Sequence, residues 1–230
     1  MSYNFLLFDL DHTILDFDVA EDCALRQMLT EAQVADVPAY MAYYVPMNRA
    51  MWEDLALGKI TKQDLIRTRF SRLFAHFGQE VDGAYYAQRY QHFLSQQGQV
   101  LPGAKALLET LKARGYHIFA ATNGVTAIQK SRLEHSGIAH LFEQVFISDE
   151  LGFQKPRLEF YEKIAAAIPG FKYSQALMIG DGLLSDIQGG NNAGIDTVWY
   201  NPDGKVNETQ AQPTYTVVTY AALLTLLERH

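Results

Sequence analysis

The 230-residue chain has one cysteine, no run of lysine or arginine, and no apolar stretch long enough to cross a bilayer. Each shortage excludes something. A lone Cys23 cannot form an intramolecular disulfide, so no oxidised framework holds the fold, and a reducing, cytoplasmic setting is expected. A formal net charge of −7 with no basic cluster argues against a nucleic-acid surface. The apolar run Phe5 to Leu10 is short, lacks a preceding basic segment and carries Asp9 inside it, which fits neither a signal peptide nor a membrane span. Internal repeats and low-complexity segments are also missing. What is present is an ordinary globular balance, 48% hydrophobic and 20% charged, in a chain long enough for one domain with an insertion or two small domains.

Tyr3 to Phe8 (YNFLLF) is a compact apolar run followed at once by acidic residues, as in a buried parallel strand that delivers side chains at its C-terminal end. From about 19 to 97 the pattern becomes helical. Leu65, Ile66, Phe70, Leu73, Phe74 and Phe77 recur at helical spacing with Arg67, Arg69 and Arg72 between them. Further helices are expected near 20–33, 38–57 and 82–97, broken at Pro38, Gly58 and Gly78. After Gly98 strands and helices alternate: helices at 103–114, 128–136, 158–168, 186–193 and 221–228, with strands at 116–121, 144–147, 176–179, 197–200 and 216–218. Such alternation predicts βαβ crossovers and a Rossmann-like α/β fold, a parallel sheet with helices on both faces. The first strand ends near Asp9, yet the next α/β element starts near Gly103. A crossover needs about 30 residues, so the surplus is an insertion. The expected division is a catalytic core of residues 1–15 and 99–230 and an all-helical cap of residues 16–98, placed where a cap could close over the sheet's C-terminal edge.

Four segments put polar residues at or just after predicted strand ends: Asp9 and Asp11, Thr122-Asn123, Lys155-Pro156, and Asp181 with Asp186. Each alone has an ordinary structural explanation. Asp-x-Asp can end a strand in a turn, Asn-Gly is a common turn, Lys-Pro is usually a solvated lysine before a helix, and Asp186 could simply cap its helix. Four such coincidences on one edge of one sheet point instead to a shared site.

In this order the set resembles the haloacid dehalogenase-like hydrolase superfamily across essentially the whole chain: FDLDHTI, TN, KP and GDGLLSD match its four motifs. FDLDHTILDFDVAE with GGNNAGIDTVWYNP looks most like its 5′-nucleotidase branch, which acts on pyrimidine and modified nucleoside monophosphates. The resemblance implies a Mg²⁺-dependent phosphohydrolase. Asp9 would attack phosphorus to form an aspartyl-phosphate, and Asp11 would protonate the leaving oxygen and then activate water. An acid at position 11 favours phosphoryl transfer over dehalogenation. Thr122, Asn123 and Lys155 would hold the phosphate. Asp9, the Asp11 carbonyl and Asp181 would hold Mg²⁺, with Asp186 bound directly or through water. His12 is read as a packed loop residue. Related nucleotidases usually carry small hydroxyl residues where this chain has Gly182 and Leu184, which puts metal affinity in doubt. Phe17, Asp18, Tyr43, Tyr44, Met47 and Trp52 could face a substrate but are better read as packing residues. The implied partner is a small phosphorylated metabolite. The alternatives are a sugar-phosphate phosphatase or phosphomutase of the same superfamily, or a non-catalytic binding module. The oligomeric state is not legible.

Overall fold

A computed structural model describes residues 3–229. Among them, six strands form one parallel sheet in the order β3-β2-β1-β4-β5-β6. In chain order these are β1 Phe5–Phe8, β2 His117–Thr122, β3 Gln144–Ile147, β4 Ala176–Gly180, β5 Asp196–Tyr200 and β6 Tyr215–Val217. The helices are α1 Phe17–Glu31, α2 Val37–Ala56, α3 Lys62–His76, α4 Gly83–Ser95, α5 Ala104–Ala113, α6 Thr126–Ser136, α7 Ser148–Leu151, α8 Leu158–Ala167, α9 Gln188–Ala193 and α10 Tyr220–Leu227. The sheet order reverses direction around β1, so the strand carrying Asp9 lies in the middle, between β2 and β4. Open α/β sheets place their ligands at such a switch point.

The period-two geometry of a strand explains why β1 is apolar throughout. Leu6 and Phe8 pack with Leu107, Leu108 and Leu111 of α5 and Leu223 of α10 on one face. Phe5 and Leu7 pack with Phe160, Tyr161 and Ile164 of α8 on the other. Both faces are therefore covered, and only the strand ends are left to present polar groups.

One expectation needs correction. The helix predicted from Asp186 starts earlier, as a π-helical turn over Leu183–Ile187 that passes into α9. The wide turn is closed by Ile187 N–H donating to Gly182 O at 3.2 Å, five residues back, beside the Asp186 N–H bond to the same carbonyl at 2.8 Å. π-turns of this kind occur mostly at functional sites and leave no hydrophobic periodicity to read.

The chain divides into two compact units, one of residues up to Phe17 with those from Gly98 onward, the other Asp18–Gln97. Where the first unit gives way to the second, the outgoing and returning segments pair antiparallel. Leu15 bridges Val100, Asp16 N–H donates to Gln99 O at 2.9 Å, and Leu101 N–H donates to Ile14 O at 2.9 Å. The second unit contains α2, α3, α4 and nearly all of α1. Its helix starts are fixed by side-chain caps: Asp36 accepts from Ala39 N–H, Thr61 from Asp64 N–H, and Asp82 from Ala84 and Tyr85 N–H. Each such cap stabilises its helix by about 1 kcal/mol. Tyr44 is buried against Phe70 with ring centroids 5.2 Å apart, Tyr43 stacks on His76, and Met47 and Trp52 pack around Met51, Leu55 and Leu65. No helix among the described residues is long and apolar enough to cross a membrane.

Candidate active site

The site is assembled from strand ends. The β1 ladder continues one residue past the strand, with Asp9 N–H donating to Ile179 O at 2.8 Å. The chain then folds back on itself: Leu10 O accepts from Ile14 N–H at 2.8 Å and from Leu15 N–H at 2.7 Å. This return puts His12 in the left-handed region, φ 60°, a conformation that costs a non-glycine residue of order 1 kcal/mol. The reward is a fixed Thr13. Its hydroxyl accepts from Asp181 N–H at 3.1 Å and faces Asp181 Oδ1 at 3.4 Å, tying the first motif to the end of β4. From the other side Trp199 of β5 donates its indole N–H to Asp181 O at 3.0 Å.

Lys155 is the centre of charge. Its ammonium is 1% exposed and reaches Asp9 Oδ1 at 2.6 Å, Asp186 Oδ1 at 2.7 Å and Ala121 O at 2.5 Å. Two of its protons are donated, to Asp9 and to the Ala121 carbonyl, while Asp186 Oδ1 pairs with it by charge and accepts no hydrogen bond. Burial alone would strip the charge from such a lysine. The Asp186 and Asp9 carboxylates outweigh it and hold Lys155 protonated well above its usual range. Asp9 is pulled both ways. Burial raises its pKa, Lys155 lowers it, and the Asp186, Asp181 and Asp11 carboxylates raise it again, leaving it well above the ordinary carboxylate value. Burial also raises Asp181; His12 opposes this and Asp186 adds to it, with the result pushed up to about 6.

Asp9, Asp181 and Asp186 each offer a carboxylate oxygen within 4.8 Å of the others. Three carboxylates around one ammonium leave two negative charges uncompensated, which suits a divalent cation bound by hard oxygen donors. Asp186 is the most deeply buried of the three. Its Oδ1 faces Lys155, and its Oδ2 accepts from Gly182 N–H at 2.9 Å. A Cβ at Gly182 would lie 2.3 Å from Ser185 Oγ and 3.0 Å from Asp186 Oδ2, so a side chain there would have to displace the Ser185 hydroxyl. The Ser185 hydroxyl thus stands close to where related nucleotidases carry their hydroxyl at position 182.

Thr122 ends β2, 2% exposed, and its Oγ1 accepts from Gly124 N–H and Gln129 Nε2, both at 3.0 Å, so its own proton remains to be donated. Asn123 is used structurally. Its amide donates to Lys155 O at 2.8 Å and accepts from Lys155 N–H at 2.9 Å, which fixes the lysine's backbone beside its cis bond to Pro156. Asp11 stands apart from the three clustered carboxylates. Its side chain is turned toward α6, where Arg132 Nη1 pairs with Oδ1 and Gln129 Nε2 donates to Oδ2 at 3.0 Å.

Residues 3–194 match the haloacid dehalogenase-like hydrolase family. The chain belongs to that family. It is 62% identical to the pyrimidine 5′-nucleotidase PynA of Streptococcus pneumoniae, over 100% of this chain and 97% of that protein. It is 30% identical to the pyrimidine 5′-nucleotidase YjjG of Escherichia coli over the full length of both. Among solved structures, the HAD-hydrolase YfnB of Bacillus subtilis, crystallised with magnesium bound, superposes with a TM-score of 0.94 at 38% identity and covers 99% of both chains.

Four site contributors were given no role from sequence. Thr13 sits inside the first motif and Trp199 inside an apolar strand, where each reads as packing. Gln129 and Arg132 lie on α6, where polar residues at helical spacing read as a solvated face, yet Arg132 is 0% exposed. A charged residue on the core face of a helix pattern is the one signal that could have revealed it.

Proposed function

We propose that the chain is a Mg²⁺-dependent phosphomonoesterase that hydrolyses nucleoside 5′-monophosphates, pyrimidine ones first, through an aspartyl-phosphate on Asp9. One observation carries the chemistry: a buried carboxylate nucleophile, Asp9, salt-bridged to Lys155 at the central strand's C-terminal end. The substrate class rests on the full-length similarity to PynA and YjjG. Attack by Asp9 forms the O–P bond as the nucleoside oxygen leaves, taking a proton from Asp11. Water then attacks the same phosphorus, Asp11 takes its proton, and phosphate departs from Asp9. Thr122 and the backbone N–H groups after it bind the phosphate oxygens. Lys155 acts chiefly through its charge, favouring the ionised form of Asp9 and offsetting the phosphoryl group. Asp9, Asp181 and the Asp11 carbonyl would hold Mg²⁺. Asp186, whose Oδ1 is buried and accepts no hydrogen bond, would bind it directly or reach it through water. The ion supplies charge neutralisation at the transferring group. The helical unit Asp18–Gln97 is assigned as the inserted cap, and the lone Cys23 suits work in the cytoplasm on free nucleotides.

A screen of pyrimidine and purine monophosphates against sugar phosphates, read as released phosphate with and without chelator, tests this. The expected result is turnover led by pyrimidine monophosphates and abolished by chelation. Faster release from sugar phosphates would overturn the substrate class, and isomerised product without free phosphate would mark a mutase.

Metal binding gives a pH prediction. A carboxylate whose folded pKa is raised, as at Asp181, binds its proton more tightly folded than unfolded. The contribution of Asp181 to metal-free stability is therefore fullest below pH 4 or so and is lost as pH rises through about 6. Mg²⁺ needs the ionised form, so its stabilisation runs the opposite way. At a Mg²⁺ concentration near 100 times Kd the gain is about 2.7 kcal/mol. The Mg²⁺-induced rise in melting temperature is expected to be full near pH 8 and largely lost near pH 5, roughly two and one units either side of that pKa. A rise independent of pH, read by differential scanning fluorimetry, would refute the assignment.

A further inference from the structure

Asp11 is gripped from one side by two residues that touch none of the clustered carboxylates. Arg132 Nη1 pairs with Asp11 Oδ1, and Gln129 Nε2 donates to Oδ2 at 3.0 Å. The same amide nitrogen donates to Thr122 Oγ1 at 3.0 Å, while Gln129 Oε1 accepts from Arg132 Nη1 at 3.3 Å. Positions 129 and 132 are three apart on α6 and so share a face. Gln129 is 2% exposed, and the chain makes room for it, since a Cβ at Gly124 would lie 2.4 Å from Gln129 Cγ. Arg132 also lies over the Phe17 ring, with its guanidinium carbon 5.4 Å from the centroid. A buried guanidinium is costly to desolvate, and a leucine would fill a helix–sheet contact without that cost. By contrast, the Asp11 side chain is 26% exposed and has rotamers to choose from without these partners.

We propose that Gln129 and Arg132 are positioning residues for the reaction: they fix the Asp11 carboxylate, and the shared Gln129 amide sets it in register with Thr122. The inference rests on the acid–base role of Asp11 given above. The pair acts on turnover and not on substrate capture, because neither side chain belongs to the phosphate-holding set. Misplacing a catalytic group by about 1 Å costs on the order of 10²-fold in rate.

The test is a double-mutant cycle on the full chain with Mg²⁺, using uridine monophosphate and p-nitrophenyl phosphate. Gln129→Met keeps the volume and removes the donor. It is expected to lower kcat for the nucleotide by roughly 10- to 100-fold with KM within about twofold. Single-turnover release of nitrophenolate, whose leaving oxygen needs no proton, should stay within about twofold of the parent. Arg132→Lys, which keeps the charge without the fork, should fall between parent and Gln129→Met. On an Asp11→Asn background, adding Gln129→Met should cost less than about twofold, because its effect passes through Asp11. Losses that multiply, or a raised KM at constant kcat, would overturn the inference while leaving the proposed function standing. Full nucleotide turnover by Asp11→Asn alone would instead remove the acid–base role on which it rests.

Discussion

Asp9→Asn should abolish nucleotide hydrolysis, lowering kcat by about 10⁴-fold or more, while leaving the protein folded. The two side chains have the same shape, so packing at the end of β1 is kept. The amide cannot open a phosphoryl-transfer route, because it is a poor nucleophile. Asp11 is held toward α6 by Arg132 and Gln129, away from the position of the lost carboxylate. The stability outcome is equally informative. In the metal-free protein burial raises the pKa of Asp9, Lys155 lowers it, and three neighbouring carboxylates raise it again, so its negative charge is held at a cost. A neutral amide removes that cost, so at neutral pH the chelated variant should melt no lower than the parent. Phosphate release by a variant verified by mass spectrometry to carry Asn at position 9 would rule out the aspartyl-phosphate route.

Lys155→Met should fail on both counts. Removing one partner of a buried ion pair costs about 3–5 kcal/mol, because the remaining charges stay buried without compensation. Here two carboxylates, Asp9 and Asp186, lose the same ammonium. At roughly 2–4 °C per kcal/mol for a domain of this size, the metal-free melting temperature should fall by about 6–20 °C. Lowering the pH through about 6 protonates Asp181 and relieves the repulsion, so the deficit should shrink in acid. Turnover should drop by about 10²- to 10³-fold from lost charge stabilisation. Equal melting temperatures for the two metal-free proteins at pH 8 or so would show that Lys155 is not the counter-charge of the cluster.

The contrast between these variants follows from what a sequence can and cannot show. A parallel sheet buried on both faces leaves only strand ends for polar groups, so Asp9, Thr122 and Asp181 stand out against apolar runs before them. Their gathering at one edge follows once the strands are known to be parallel. Lys155 and Asp186 lie in loops and turns, where an ion pair between residues 31 apart has no local signature. The grip on Asp11 was hidden for another reason. Gln129 and Arg132 obey the polar spacing of an exposed helix face, and only the tertiary placement of α6 turns that face inward. The π-turn at Leu183 escaped because one extra residue in a helical turn changes no hydrophobic pattern.

The antiparallel pairing of Leu15 with Val100 has a wider consequence. To the α/β core, the excursion Asp18–Gln97 is a loop whose ends are already pinned side by side. Loop-closure entropy grows only with the logarithm of length, each doubling adding about 0.6 kcal/mol. The core is therefore almost indifferent to how long the excursion is. A chain joined in this way can lengthen, shorten or exchange its helical module while β1 keeps its register and Asp9 its neighbours, which makes the module the freest part of the molecule to diversify.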